Sequence, residues 1–143
     1  KVSLEISQYL KELPELKPVI SNMWLPIDRN KFVTMQWDST DSSRSMTPIQ
    51  IEGIKRRYEE LGYEIVIVGG KAENDLLKNS LKHIGFAMYN AKYHVGVDSG
   101  MMHIAQFYKK YEDIHIHNYG YTSHHLIRAK KNGTKINYLP QKD

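Results

Sequence analysis

The sequence predicts an α/β domain built on a parallel sheet. Three observations point there. Short β-branched or apolar runs recur at Phe32–Trp37, Tyr63–Val68, Tyr93–Val97, Ile114–His117 and Ile136–Leu139. Segments with helical apolar spacing lie between them, and strands alternating with helices imply βαβ units. Two of the runs end in glycine-bearing turns, Gly69-Gly70 and Asp98-Ser99-Gly100, where a parallel sheet presents its ligand-binding edge.

Residues 1–30 differ in pattern from the rest of the chain. Ile6, Leu10 and Leu13 are spaced for a short amphipathic helix that Pro14 and Pro18 interrupt, and the segment to Asn30 reads as a connector. From Lys31 the pattern is regular, so one domain is expected over residues 31–143. After the first strand, a polar loop covers residues 38–45. Thr47 is placed as an N-cap, Pro48 as the first helical residue and Gln50 as the capping-box partner, with Met46 and Ile51 as a hydrophobic staple. Ile51, Ile54, Tyr58 and Leu61 share one helical face, and Gly62 supplies the stop. The run Tyr63–Val68 reads as a strand buried on both faces. Residues 75–91 are expected to form one helix, and another is expected to begin at Gly100, with Met101, Met102, Ile104, Ala105 and Tyr108 at helical spacing.

The 143 residues are 41% hydrophobic and 25% charged, the balance of an ordinary globular domain. No apolar run is long enough to span a bilayer, and the start lacks the apolar core of a signal peptide, so a cytoplasmic setting is the expectation. Cysteine is absent, which excludes disulfides and thiolate metal sites. The formal charge of +4 suits an anionic ligand, but the basic residues are scattered, and the densest cluster, Arg128, Lys130 and Lys131, reads as solvated surface. The ten tyrosines are equally dispersed, so nucleic acid is not an expected partner.

Three loops fall at the predicted carboxyl edge of the sheet: 38–45, 69–74 and 98–103. The first offers the hydroxyls of Ser39, Thr40, Ser42 and Ser43 and the guanidinium of Arg44, a planar partner for phosphate. Taken alone, it also reads as a solvated turn. In the second, the glycine pair permits close approach of a ligand to the backbone, and Glu73 is a carboxylate able to accept from ribose hydroxyls. In the third, a strand turns straight into a helix, leaving backbone N–H groups and the positive end of the helix dipole for an anion. There Asp98 is expected to fix the loop, Ser99 and Gly100 to present hydroxyl and amides, and His103 to donate to phosphate or to pack. His115 and His117 share a strand face, with His124 and His125 following. Imidazoles suit zinc, but no carboxylate completes a familiar spacing, and no metal is expected.

These residues resemble the C-terminal domain of GT-B glycosyltransferases, closest to the heptosyltransferase-like glycosyltransferase family 9. The resemblance covers roughly residues 31–120. It rests on the strand VTMQW, the Ser/Thr loop before a capped helix, the strand-to-glycine segment EIVIVGG, and above all VGVDSGMMHIAQ. There Asp98, Ser99, Gly100, His103 and Ala105 fit the family pattern D-[ST]-G-x-x-H-x-A. It implies a Rossmann-like fold, a parallel sheet flanked by helices, and a nucleotide-diphosphate sugar as donor substrate with no separate cofactor. It further implies that Ser39 and Thr40 lie near the phosphates, Glu73 near the ribose, and Ser99, Gly100 and His103 at the diphosphate. Arg44 stands where the family usually has lysine. The family draws its catalytic base and acceptor site from an N-terminal domain, for which 143 residues leave no room. A partner domain or a second copy is then expected to complete the cleft against an acceptor glycan or other hydroxyl. The residues alone leave two alternatives open: a nucleotide-binding module without catalysis, and an epimerase or hydrolase on the same architecture.

Overall fold

The structure, a computed structural model, describes residues 31–39, 42–119 and 123–140. The connector expected over residues 1–30 and the hydroxyl of Thr40 lie outside these residues. Five strands form one parallel sheet: β1 (Phe32–Gln36), β2 (Glu64–Ile67), β3 (His94–Gly96), β4 (Ile114–Asn118) and β5 (Lys135–Tyr138). Helices α1 (Pro48–Glu60), α2 (Asp75–Asn79), α3 (Leu81–Asn90), α4 (Gly100–Tyr108) and α5 (His124–Lys131) connect them. The fold is α/β and Rossmann-like.

Strand order is β2-β1-β3-β4-β5. The chain steps one way from β1 to β2 and the other way from β2 through β3, β4 and β5. Right-handed crossovers then put the connecting helices on opposite faces. On one face Val33, Met35, Val95 and Val97 pack with Met46, Ile54 and Tyr58, the side of α1. On the other, Phe32, Ile114 and Ile116 pack with Leu77, Ile84, Met88, Met102, Ala105 and Leu126 of α2 to α5. Two successive strand ends therefore diverge between β1 and β3, opening a crevice at the carboxyl edge.

The α1 signals act as read. The Thr47 side chain accepts from the Gln50 amide, Gln50 returns the bond to the Thr47 amide, and Gly62 leaves the helix at φ +95°. Met46 is buried, and Ile51 packs in the same cluster. Leu61 departs from the expected face. It is the C-cap residue and 66% exposed.

Two other expectations are corrected. The run Tyr63–Val68 does form a strand, but among the described residues β2 lies at the edge of the sheet, paired with β1 alone, and its residues are exposed or half-buried. Residues 75–91 form two helices, because Ser80 adopts extended backbone (φ −97°, ψ 106°), closing α2 and capping α3 through the His83 amide. The basic cluster Arg128, Lys130 and Lys131 lies in the last turn of α5, where cations complement the helix dipole.

Candidate functional site

A cleft of about 400 Å³ opens at the carboxyl edge of the sheet, where β1 and β3 diverge. All three predicted loops supply its walls. Asp38 and Ser39 follow β1, Gly69 and Gly70 follow β2, and Ser99, Gly100, Met101 and Ile104 belong to the loop and first turn after β3. Gln36, the last residue of β1, completes the lining.

Gln36 organises these walls. Its amide oxygen accepts from the Ser99 hydroxyl at 2.9 Å, and its amide nitrogen donates to the Asp38 carbonyl and, at 3.2 Å, to Asp38 Oδ1. One side chain thus fastens the loop after β1 to the loop after β3. Ser99 occupies the N-cap of α4 but makes no side-chain capping bond, because its hydroxyl points to Gln36. The opening amides of α4 therefore meet the cleft without the usual hydroxyl over them, which keeps the positive helix end available to an anion.

The glycines act in different ways. Gly69 has φ +88°, and a Cβ there would lie 3.3 Å from Gln36 Cγ, so the chain can cross tightly over Gln36 only without a side chain. Gly100 has no such backbone demand. Among the described residues a Cβ at this position would meet nothing within 4 Å, and its φ is not one of the positive values. At Gly70 the nearest atom to a Cβ is Asp38 Oδ2, at 3.5 Å.

Of the residues expected to bind the ligand, Ser39, Gly70, Ser99 and Gly100 line the cleft. Asp98 is only 3% exposed and accepts from the Ser123 hydroxyl at 3.1 Å, which ties the loop after β3 to the N-cap of α5. His103 is not among the lining residues. Its ring meets that of His125 edge to face, with centroids 4.4 Å apart. Desolvation, then the neighbouring His125, holds its pKa below the usual value, with Asp98 opposing. Arg44 is half-buried in a 3-10 turn, Ser42–Arg44, and Glu73 is exposed before the Asn74 cap of α2; neither belongs to the lining.

Gln36 and Asp38 escape a loop-by-loop reading of the sequence. Gln36 is embedded in a strand signal, and Asp38 is the first polar residue after it. The usable signal was their position: each sits at the carboxyl end of the strand beside the topological reversal.

The strand histidines are committed elsewhere. His115 Nδ1 pairs with the Tyr58 hydroxyl at 2.6 Å, and its ring stacks on Tyr93. His117 pairs with Asn137 at 2.9 Å, and burial pushes its pKa down to about 4. Among the described residues no group of three or more His, Cys, Asp or Glu side chains is placed to hold a metal ion. Nor is any helix among them long and apolar enough to cross a membrane. Comparisons with family models, curated proteins and solved structures gave no match for this chain. The class is thus defined by the architecture itself: a Rossmann-like α/β domain with a cleft at its topological reversal.

Proposed function

We propose that the chain is the nucleotide-diphosphate-sugar-binding, donor half of a GT-B-type glycosyltransferase. One observation carries this reading: the three loops after β1, β2 and β3 converge on one cleft whose wall includes a helix start that the Ser99 side chain does not cap. A diphosphate over Gly100 would receive backbone N–H bonds and the helix dipole. The carboxylate of Asp38, beside Gly70, suits the hydroxyls of a ribose or sugar. When the anomeric bond breaks, negative charge accumulates on the departing diphosphate. Fixed donors placed there in advance lower the barrier. The acceptor hydroxyl and the base that deprotonates it belong to a second wall, from a partner domain or another copy.

The resemblance of residues 31–120 to glycosyltransferase family 9 supports this assignment of substrate class. A second reading, nucleotide binding without catalysis, is favoured by the lining itself: among the described residues it includes one ionisable side chain, Asp38. Calorimetry with ADP, GDP and UDP tests what the two readings share. Binding of at least one is expected, and absence of both heat and thermal stabilisation at millimolar ligand overturns the assignment. Sugar transfer once an N-terminal partner is supplied separates the donor half from the inert module.

A further inference from the structure

His94 and Gly96 lie two residues apart on β3 and so share a face of the sheet. Their register partners on β1 are Thr34 and Gln36. Thr34 and His94 are fully buried, and Gln36 is 5% exposed. A polar ladder therefore runs from the core, through Thr34 and His94, to Gln36 at the wall of the cleft. Thr34 Oγ1 pairs with His94 Nδ1 at 2.9 Å. His94 Nε2 has no hydrogen-bond partner among the described residues. A polar atom kept in that state inside a core is costly and calls for a reason.

Gly96 leaves the way open between that atom and Gln36. A Cβ on Gly96 would stand 3.1 Å from His94 Nε2, 3.1 Å from the Gln36 carbonyl oxygen and 3.6 Å from Gln36 Oε1. The imidazole and the amide thus border one spot that a side chain at Gly96 would fill. Burial, then Lys109, pushes the His94 pKa down to about 3, so the ring is neutral and one of its nitrogens carries the hydrogen. Both Gln36 oxygens are acceptors. They favour the tautomer with hydrogen on Nε2, the Thr34 hydroxyl then donating to Nδ1. Gln36 Oε1 meanwhile accepts from the Ser99 hydroxyl. If that hydroxyl turned to a ligand, the nearly buried amide oxygen would lose this donor, and His94 Nε2–H is placed to supply another.

We propose that His94 is a positioning residue of the cleft, the second partner of Gln36 Oε1, and that it takes over this oxygen when the Ser99 hydroxyl turns to a bound ligand. The ligand step rests on the nucleotide reading. The pairing itself is a property of the free chain. His94 acts through Gln36 and does not touch the ligand. Only hydrogen bonds are exchanged, and the imidazole keeps its single proton throughout. The exchange lets Ser99 serve the ligand without leaving a buried acceptor unmatched.

Ring NMR on the intact, nitrogen-15-labelled chain tests it, because the ring nitrogens report the tautomer and the Nε2–H resonance reports its hydrogen bond. In the free chain His94 is expected to carry its hydrogen on Nε2, and an Nδ1–H ring overturns the proposal. Ser99→Ala removes the competing hydroxyl without any ligand. The His94 Nε2–H resonance is expected to move downfield in that variant, and an unmoved resonance overturns the proposal whatever nucleotides do. Whichever of ADP, GDP and UDP binds is expected to produce the same downfield shift in the parent, together with shifts at the backbone amides of Gly69, Gly70 and Gly100. If those amides shift while His94 stays fixed, the handover is refuted and the nucleotide reading stands. If none of the three nucleotides shifts them, the nucleotide reading falls and takes the handover with it. His94→Phe is expected to weaken the nucleotide roughly threefold to tenfold, and to have no further effect in a Gln36→Leu background. Equal losses in the two backgrounds would show that His94 serves the fold and does not act through Gln36.

Discussion

Gly100 separates the fold from the site. A Cβ at this position meets no atom of the described residues within 4 Å, and its φ is not among the positive values seen at Gly62, Gly69 and Gly133. Substitution therefore carries no steric or backbone penalty in the free protein. Replacing glycine by alanine at a compatible position reduces the freedom of the unfolded chain and stabilises by about 0.4–1 kcal/mol. In the complex the same side chain stands where a phosphate approaches the first amides of α4. A hydrogen bond to a charged group contributes about 1.5–3 kcal/mol, so loss of one such contact lowers affinity by roughly tenfold or more. Gly100→Ala is expected to weaken the best nucleoside diphosphate measurably, and Gly100→Val to weaken it at least about tenfold, with urea midpoints at or near that of the parent. Calorimetry and urea unfolding on the same preparations give both numbers. Equal affinity for Gly100→Val and the parent would refute the placement of phosphate against this backbone.

Three further outcomes are expected. Burial pushes His94 down to about 3 and His117 down to about 4, so the unfolded chain takes up protons first as pH falls; stability is full above about pH 6.5 and declines below it, by about 1.4 kcal/mol per pH unit for each histidine until its folded pKa is reached. Urea midpoints that stay level between pH 7 and pH 5 would contradict this, and His117→Gln should flatten the decline. Gly85 is packed under Tyr108, and a Cβ there would fall 2.5 Å from the ring, so Gly85→Ala should destabilise by about 1–3 kcal/mol despite its better helix propensity; a gain in thermal stability would show that the ring moves aside freely. The chain alone should give at most slow hydrolysis of a nucleotide sugar, since orientation and deprotonation of an acceptor supply a large share of the rate. Rapid transfer to a defined acceptor by the purified chain would show that it completes the site by itself.

Local signals in the sequence located most of the elements and the site's backbone. The capping box at Thr47 and Gln50 and the stop at Gly62 each depend on a few adjacent residues, and each acts in the structure as its chemistry dictates, while at Ser99-Gly100 the helix starts where the turn was read but Ser99 bonds Gln36 instead of capping it. What depends on neighbours across the sheet was not legible. The β-branched run before Gly69 signals a strand but not its rank, and β2 proves to be an edge. The helix α5 carries a recognisable start at Ser123 and stop at Gly133, yet its run of basic residues suggested only surface. At the site, the glycines and Ser99 announced themselves through turn chemistry. The bond from Ser99 to Gln36, and the meeting of His103 with His125, join residues distant in sequence and depend on strand order alone. Arg44 shows the converse: its chemistry suits phosphate, but the 3-10 turn keeps it out of the lining.

The most direct test of the central claim is a crystal structure of the chain with the nucleoside diphosphate that binds best in calorimetry. The account predicts phosphate oxygens within about 3 Å of the Gly100 and Met101 amides, and the nucleoside running along Gly69 and Gly70. A nucleotide bound at another surface, with the crevice between β1 and β3 left empty at saturating ligand, would contradict it.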